Sequence, residues 1–230
     1  MKINKKPFSI IEKGFLFVVK FVFILKLTKF IKTILIKMGQ YVELKYDRFR
    51  LSDDEFYDFC TQNDSLKFER DAKGNILIMP NTGGITGIMN SEINFEFVGW
   101  NRQAKLGKGF DSSTTFRLPS SAARSADVAW VNNENWNQLD LAQQTKFPLV
   151  CPDFVLELMS TTDNLKDSTK KMQEEWIASG CKLAWLINPK TQKTYIFREN
   201  KEVEIVVGFD QKLFGENVLV GFELDLSILK

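Results

Sequence analysis

Two carboxylates stand where an apolar core is expected. Asp127 opens the run Ala126–Val131 (ADVAWV), and Glu157 sits inside Asp153–Met159 (DFVLELM). A charge in a buried strand is unfavourable unless it is paired or binds a cation. Two such carboxylates on neighbouring strands would repel each other. A hard divalent ion such as Mg²⁺ relieves that repulsion, and it typically takes one or two protein carboxylates plus waters and substrate phosphate. A nearby lysine could orient an attacking water or stabilise charge on a phosphorane. The same carboxylates could also be structural. Asp127 could cap a strand end, and Glu157 could pair with Lys170, Lys171 or Arg117.

The composition removes most rival chemistries. The 230 residues include no histidine, which excludes a Ser–His–Asp triad, a Cys–His pair and imidazole metal ligation. Cys60, Cys151 and Cys181 are isolated, without a CxxC pair. They read as small buried hydrophobes in a reducing, cytoplasmic setting rather than as a zinc site.

The net charge of +2 is uneven. Residues 1–38 hold nine lysines and one acid, Glu12, a balance of +8, leaving 22 basic and 28 acidic residues, or −6, for 39–230. The chain therefore reads as a basic apolar leader, 1–38, and a mildly acidic domain, 39–230. Within 14–38 the apolar runs are broken by Lys20 and Lys26. A spanning helix wants about 20 predominantly apolar residues. The leader reads as an over-read start before Met38, as an interfacial helix on a membrane surface, or as a span.

The elements that must position the carboxylates follow from the pattern of the domain. Ser52–Glu55 reads as a helix start with an N-cap and early acids. Residues 66–70 and 75–79 flank a turn and read as a hairpin. Residues 81–84 read as a loop, 90–105 as a helix stopped by Gly107, and 109–118 as a strand. Residues 132–149 form a polar stretch. Residues 164–179 read as a helix with Leu165, Thr169, Met172 and Trp176 on one stripe and Gly180 at its end. Residues 181–187 and 194–198 are strand-like, and 203–207 with 218–226 could finish a meander. Alternating apolar strands and helices indicate an α/β domain with a covered sheet.

Five segments, IMPNTGG (78–84), FDSSTTFRLPSSAARSADVAWV (110–131), FPLVCPDFVLELMS (147–160), KM (171–172) and GCKLAWLINP (180–189), together resemble the Uma2 family (DUF820) of restriction-endonuclease-like proteins. The resemblance spans residues 40–200. It implies a restriction-endonuclease-like, PD-(D/E)xK core: a central mixed β-sheet flanked by helices, with a metal site at strand ends. It implies Asp127 and Glu157 as ligands of Mg²⁺ (or Mn²⁺), joined by the backbone carbonyl of Leu158 and by Glu92 as an extra ligand. Lys171 would be the lysine of the site, because Met159 occupies the usual position. The implied activity is cleavage of DNA, often by a homodimer. A nuclease fold that keeps binding but has weakened turnover is the alternative.

Three departures from the family pattern stand out. Ala126 replaces a proline, and Asn188 replaces an aspartate. Trp176 and Gly180 also lie five and nine residues after Lys171 rather than four and eight, as if one glutamate were inserted at 174–175. In a regular α-helix one extra residue turns the lysine by about 100°. DNA binding has little support from charge. Arg102, Lys105 and Lys108 form one small basic cluster, and Arg117 and Arg124 another.

Overall fold

The computed structural model describes residues 41–44 and 50–230. The leader lies outside the described residues. Among these residues no helix is long and apolar enough to cross a membrane.

The architecture is mixed α/β, built on a six-stranded sheet. Its strands are β4 (Gly107–Asp111), β7 (Val128–Asn132), β8 (Phe154–Leu158), β9 (Leu183–Asn188), β10 (Lys193–Arg198) and β11 (Glu204–Val207). Their order is β11-β10-β9-β8-β7-β4. Only the β8–β9 pair is parallel, and a parallel pair requires a crossover. The helical segment between residues 165 and 179 supplies it. Every residue of β9 is buried, as expected of a central strand covered on both faces.

A second, antiparallel sheet was not legible from the pattern. It orders β1 (Val42–Leu44), β3 (Ile76–Met79), β2 (Lys67–Arg70), β6 (Ala123–Arg124) and β5 (Phe116–Arg117). The expected hairpin is β2–β3. Asp71 builds its turn by accepting the N–H groups of Lys73 and Asn75, and Gly74 takes the left-handed conformation the turn needs. The expected strand 109–118 is broken. Asp111 accepts from the N–H and hydroxyl of Ser113, which ends β4 and separates it from β5.

The expected N-cap at Ser52 is a full capping box with Glu55, opening α1 (Asp53–Gln62). The long helix α2 runs Gly84–Ala104, six residues earlier than expected. It ends at Lys105 in the left-handed region, not at Gly107. Gly107 has a packing role instead: a Cβ there would lie 2.3 Å from the Val131 carbonyl oxygen and 2.5 Å from the Trp130 ring. The polar stretch 132–149 contains two short capped helices, α3 (Asn133–Asn137) and α4 (Leu141–Thr145). The expected strand 218–226 shrinks to β13 (Glu223–Asp225), which pairs with β12 (Lys212–Phe214) in a separate ribbon.

Packing divides at the main sheet. On one face Ile93 and Phe97 of α2 join Phe154, Trp185 and Phe222. On the other, Met172 and Trp176 join Val155, Ala129 and Leu186. That second face carries the carboxylates.

Candidate active site

The sheet register brings the two acids together. Val128 pairs with Leu156 across β7 and β8, so one step further along Asp127 stands beside Glu157. Directly opposed residues of antiparallel strands share a face, with Cβ atoms about 5 Å apart. Asp127 accepts the Leu158 N–H at 2.8 Å and the Asn90 side-chain amide at 3.1 Å. Glu157 accepts from the Trp176 indole N–H at 3.2 Å and meets the Lys171 ammonium at 2.7 Å. Lys171 also donates to the Ser125 carbonyl at 3.0 Å and lies 3.4 Å from Glu69.

The crossover segment explains how Lys171 reaches this point. α5 (Leu165–Lys171) is regular, but Met172–Trp176 is a π-helical turn and Ile177–Ser179 is a 3₁₀ turn. The expected continuous helix 164–179 is therefore three helical types. A π-turn accommodates one extra residue without rotating the flanking segments. The wide turn has room for the extra glutamate expected at 174–175, and Lys171 and Trp176 both face Glu157. The expected apolar stripe holds at Met172 and Trp176, which are fully buried, whereas Leu165 is exposed. Lys170 points outward and pairs with Glu174.

The acids and bases form one connected network. Glu69, on β2, is buried and ion-paired to Arg124 at 2.8 Å. It also accepts the Ser125 N–H. Arg124 in turn reaches Glu175 in the π-turn. Burial works against the Glu69 charge, but Lys171 and Arg124 hold its carboxyl at about 2. Burial likewise opposes the charges of Lys171 and Arg124, yet their acidic partners keep both above their ordinary ranges. Glu157 shares its lysine with Glu69 and pairs with no arginine among the described residues. Burial, reinforced by Asp127 and Glu69, pushes its carboxyl up to about 7 against the pull of Lys171. Burial also raises Asp127, against the hydrogen bond from Leu158.

These residues line a cleft of about 890 Å³ between the two sheets. Among the described residues its walls carry nine carboxylates and six cationic side chains, a net acidic lining. Glu92 is exposed and is not among the cleft-lining residues; the α2 residue that donates to the Asp127 carboxylate is Asn90, while Asn94 donates to the Asp127 backbone carbonyl. At Leu158 the group tied to Asp127 is the backbone N–H. Arg117 serves the structure, donating to the Phe147 carbonyl and lying 3.7 Å from Asp53. Arg124 is buried in the network rather than offered to a ligand. The sequence reading missed Glu69 and Asn90. Glu69 sits in Lys67–Arg70 (KFER), whose last three residues are buried; a charged pair in a strand was the available signal.

The donor set fits a hard divalent cation. Two neighbouring carboxylates supply oxygen, and the side-chain oxygen of Asn90, whose amide nitrogen donates to Asp127, is buried with no hydrogen-bond partner among the described residues. Among the described residues no three Cys, Asp or Glu side chains form a metal cage.

A crystal structure described as that of "a putative nuclease belonging to DUF820 from Anabaena variabilis" shares this fold, with a TM-score of 0.62 and 17% identity over 78% of this chain and 97% of that one. No curated protein matches. The profile of the family described as "Putative restriction endonuclease" matches residues 53–227, and with the shared fold this establishes that the chain belongs to the Uma2 family.

Proposed function

We propose that this chain is a metal-dependent endonuclease that hydrolyses DNA phosphodiester bonds, with Asp127, Glu157 and Lys171 as its site. The observation that carries the reading is the meeting of Glu157 and Lys171 at 2.7 Å, beside Asp127, in an open cleft. The resident cation, Mg²⁺ or Mn²⁺, would be held by Asp127 and Glu157 and would supply Lewis-acid activation of phosphate and water.

The chain's own residues supply the rest. Lys171 is held in its charged form by Glu157 and Glu69, so it acts as an electrostatic stabiliser of the phosphorane rather than as a base. Glu69 and the Ser125 carbonyl keep the ammonium in place when Glu157 turns to other partners. Asn90 and the Leu158 N–H fix the Asp127 carboxylate, and the Trp176 indole fixes Glu157. The acidic lining opposes entry of a polyanion until positive charge is added, which ties substrate binding to the cation.

Incubation with supercoiled plasmid and Mg²⁺ or Mn²⁺ tests the reading. Nicking by the native chain and none by Asp127→Ala supports it; equal nicking by both overturns it. Calorimetric metal binding without cleavage of DNA or RNA would assign a binding or regulatory module instead. The spacing departure after Lys171 would favour that module only by turning the lysine away, and Lys171 meets Glu157 across the π-turn.

A further inference from the structure

The β2–β3 hairpin forms part of the cleft wall, and its register decides which side chains reach the cleft. Lys67 pairs with Met79, and Glu69 pairs with Leu77. Directly opposed residues share a face, and all four line the cleft. Phe68 and Ile78 point the other way and pack with Phe56. Lys67 therefore rises on the same face as Glu69, two residues or about 7 Å along the strand. Glu69 lies 3.4 Å from Lys171, so Lys67 stands next to the candidate active site. Its positive charge reaches both Glu69 and Asp127, favouring the ionised form of each.

The charges of the hairpin are not equally engaged. Glu69 is turned inward to Arg124 and Lys171. Asp71 closes the turn by accepting from Lys73 and Asn75. Arg70, on the opposite face, is buried and held by Asp53 and the Leu51 carbonyl. Lys67 is exposed, and among the described residues its ammonium makes no ion pair or hydrogen bond. The same holds for the side chains of Lys73, at the turn, and Arg50, whose stem lies over Gly74; both line the cleft. The lining as a whole is acidic, but the charge left uncompensated along the hairpin is positive.

We infer that the hairpin binds the backbone of a nucleic-acid strand beside the site. Lys67 holds the phosphate next to the scissile one, and Arg50 with Lys73 takes a phosphate further along the same strand. Such contacts position the strand and carry no base information, so binding through them is independent of sequence. Lys67 is thus a positioning residue, distinct from Lys171, which meets the acids of the site. The inference rests on the nuclease reading for the nature of its ligand.

Anisotropy titrations of the full chain with short labelled DNA duplexes, in Ca²⁺ and at several salt concentrations, test it. Lys67→Ala should weaken binding about tenfold, equally for two unrelated sequences, and reduce the slope of log K against log salt by about one. Adding Arg50→Ala and Lys73→Ala should reduce the slope by about one more. Lys67→Arg should bind like the native chain, and Arg102→Ala, outside the cleft, should leave the slope unchanged. Melting temperatures should not move, because these side chains are exposed. In plasmid cleavage Lys67→Ala should raise KM about tenfold and leave kcat within about twofold, because the flanking phosphate gains no charge in the reaction. A native chain that binds no DNA, an unchanged slope in Lys67→Ala, or weaker binding explained by a lower melting temperature overturns the inference. Nicking by the native chain and equally by Lys67→Ala would remove the inference and leave the nuclease reading. Binding with the expected slopes but no nicking would keep the inference and remove that reading.

Discussion

Glu157 should make the protein less stable as pH rises, and Glu157→Gln should remove that dependence. Its carboxyl titrates at about 7 in the folded chain, against an ordinary value of 4.5, because burial and the neighbouring Asp127 and Glu69 disfavour its charge. A group whose folded pKa is raised stabilises the fold fully below its unfolded pKa. That contribution is lost as pH rises through the folded value. The window is therefore about pH 4.5 to 7. The gap of about 2.5 units corresponds to about 3 kcal/mol at 1.36 kcal/mol per unit. The side chain is 18% exposed, so screening removes only part of it. Gln cannot titrate, and the remaining groups are common to both proteins. The difference between the two pH profiles isolates this one carboxyl. Urea unfolding followed by tryptophan fluorescence, from about pH 5 to about pH 8, should show the native chain losing about 2–3 kcal/mol relative to Glu157→Gln. A saturating divalent cation should flatten the native profile, because the ion compensates the ionised carboxylate. Parallel profiles would refute the reasoning. A difference of opposite sign would mean that Lys171 outweighs burial and already holds Glu157 ionised.

Glu69→Gln should lower stability by about 3–5 kcal/mol at neutral pH, because it leaves buried Arg124 short of a partner. Its carboxyl is held at about 2, so the native chain loses this contribution as pH falls below about 4.5, the opposite sense to Glu157, and acid titration of both proteins checks it. Trp176→Phe removes the N–H to Glu157 and leaves a cavity where the fully buried indole was; about 2–4 kcal/mol should be lost in urea unfolding, with the melting transition still cooperative. Gly107→Ala should destabilise by about 1–3 kcal/mol or more in the same assay, because its Cβ would press on the Val131 carbonyl and the Trp130 ring.

What was legible in the sequence follows from which signals are local. Asp127 and Glu157 stood out because their strands are otherwise apolar; the pattern put Glu157 in the middle of its run, and it is the strand bounds and register that place both near strand ends. The start of α2 was not legible. Thr82, Gly83, Gly84 and Gly87 are weak helix formers, and tertiary packing of Met89, Ile93 and Phe97 on the sheet overrides them. The second sheet escaped because β5 and β6 are two residues each, and their pairing is settled by long-range contacts. Glu69 escaped for the same reason. KFER reads as a solvated hairpin strand until Arg124 and Lys171 close over it.

The helical insertion shows how a spacing departure can be read correctly and still mislead about direction. Counting residues assumes 3.6 per turn throughout, so a lysine five residues before Trp176, rather than four, appears rotated by about 100°. The chain instead changes helical type locally. Ile177 N–H is shared between the carbonyls of Gln173 and Met172, four and five residues earlier, and the wider turn takes up the extra residue. Glu175, within that turn, is half-buried and bonds Arg124, while Glu174 is exposed and bonds Lys170. The added residue is thus compatible with the buried network as well as with the backbone. Deleting Glu174 separates the two accounts. If the π-turn is the accommodation, the shortened segment should revert to regular α-helix, with Lys171 and Trp176 still facing Glu157. Metal binding and the pH profile of Glu157 should then persist. If the lysine owes its direction to something other than the π-turn, the deletion should swing it from Glu157, and the pH dependence of stability should change with it.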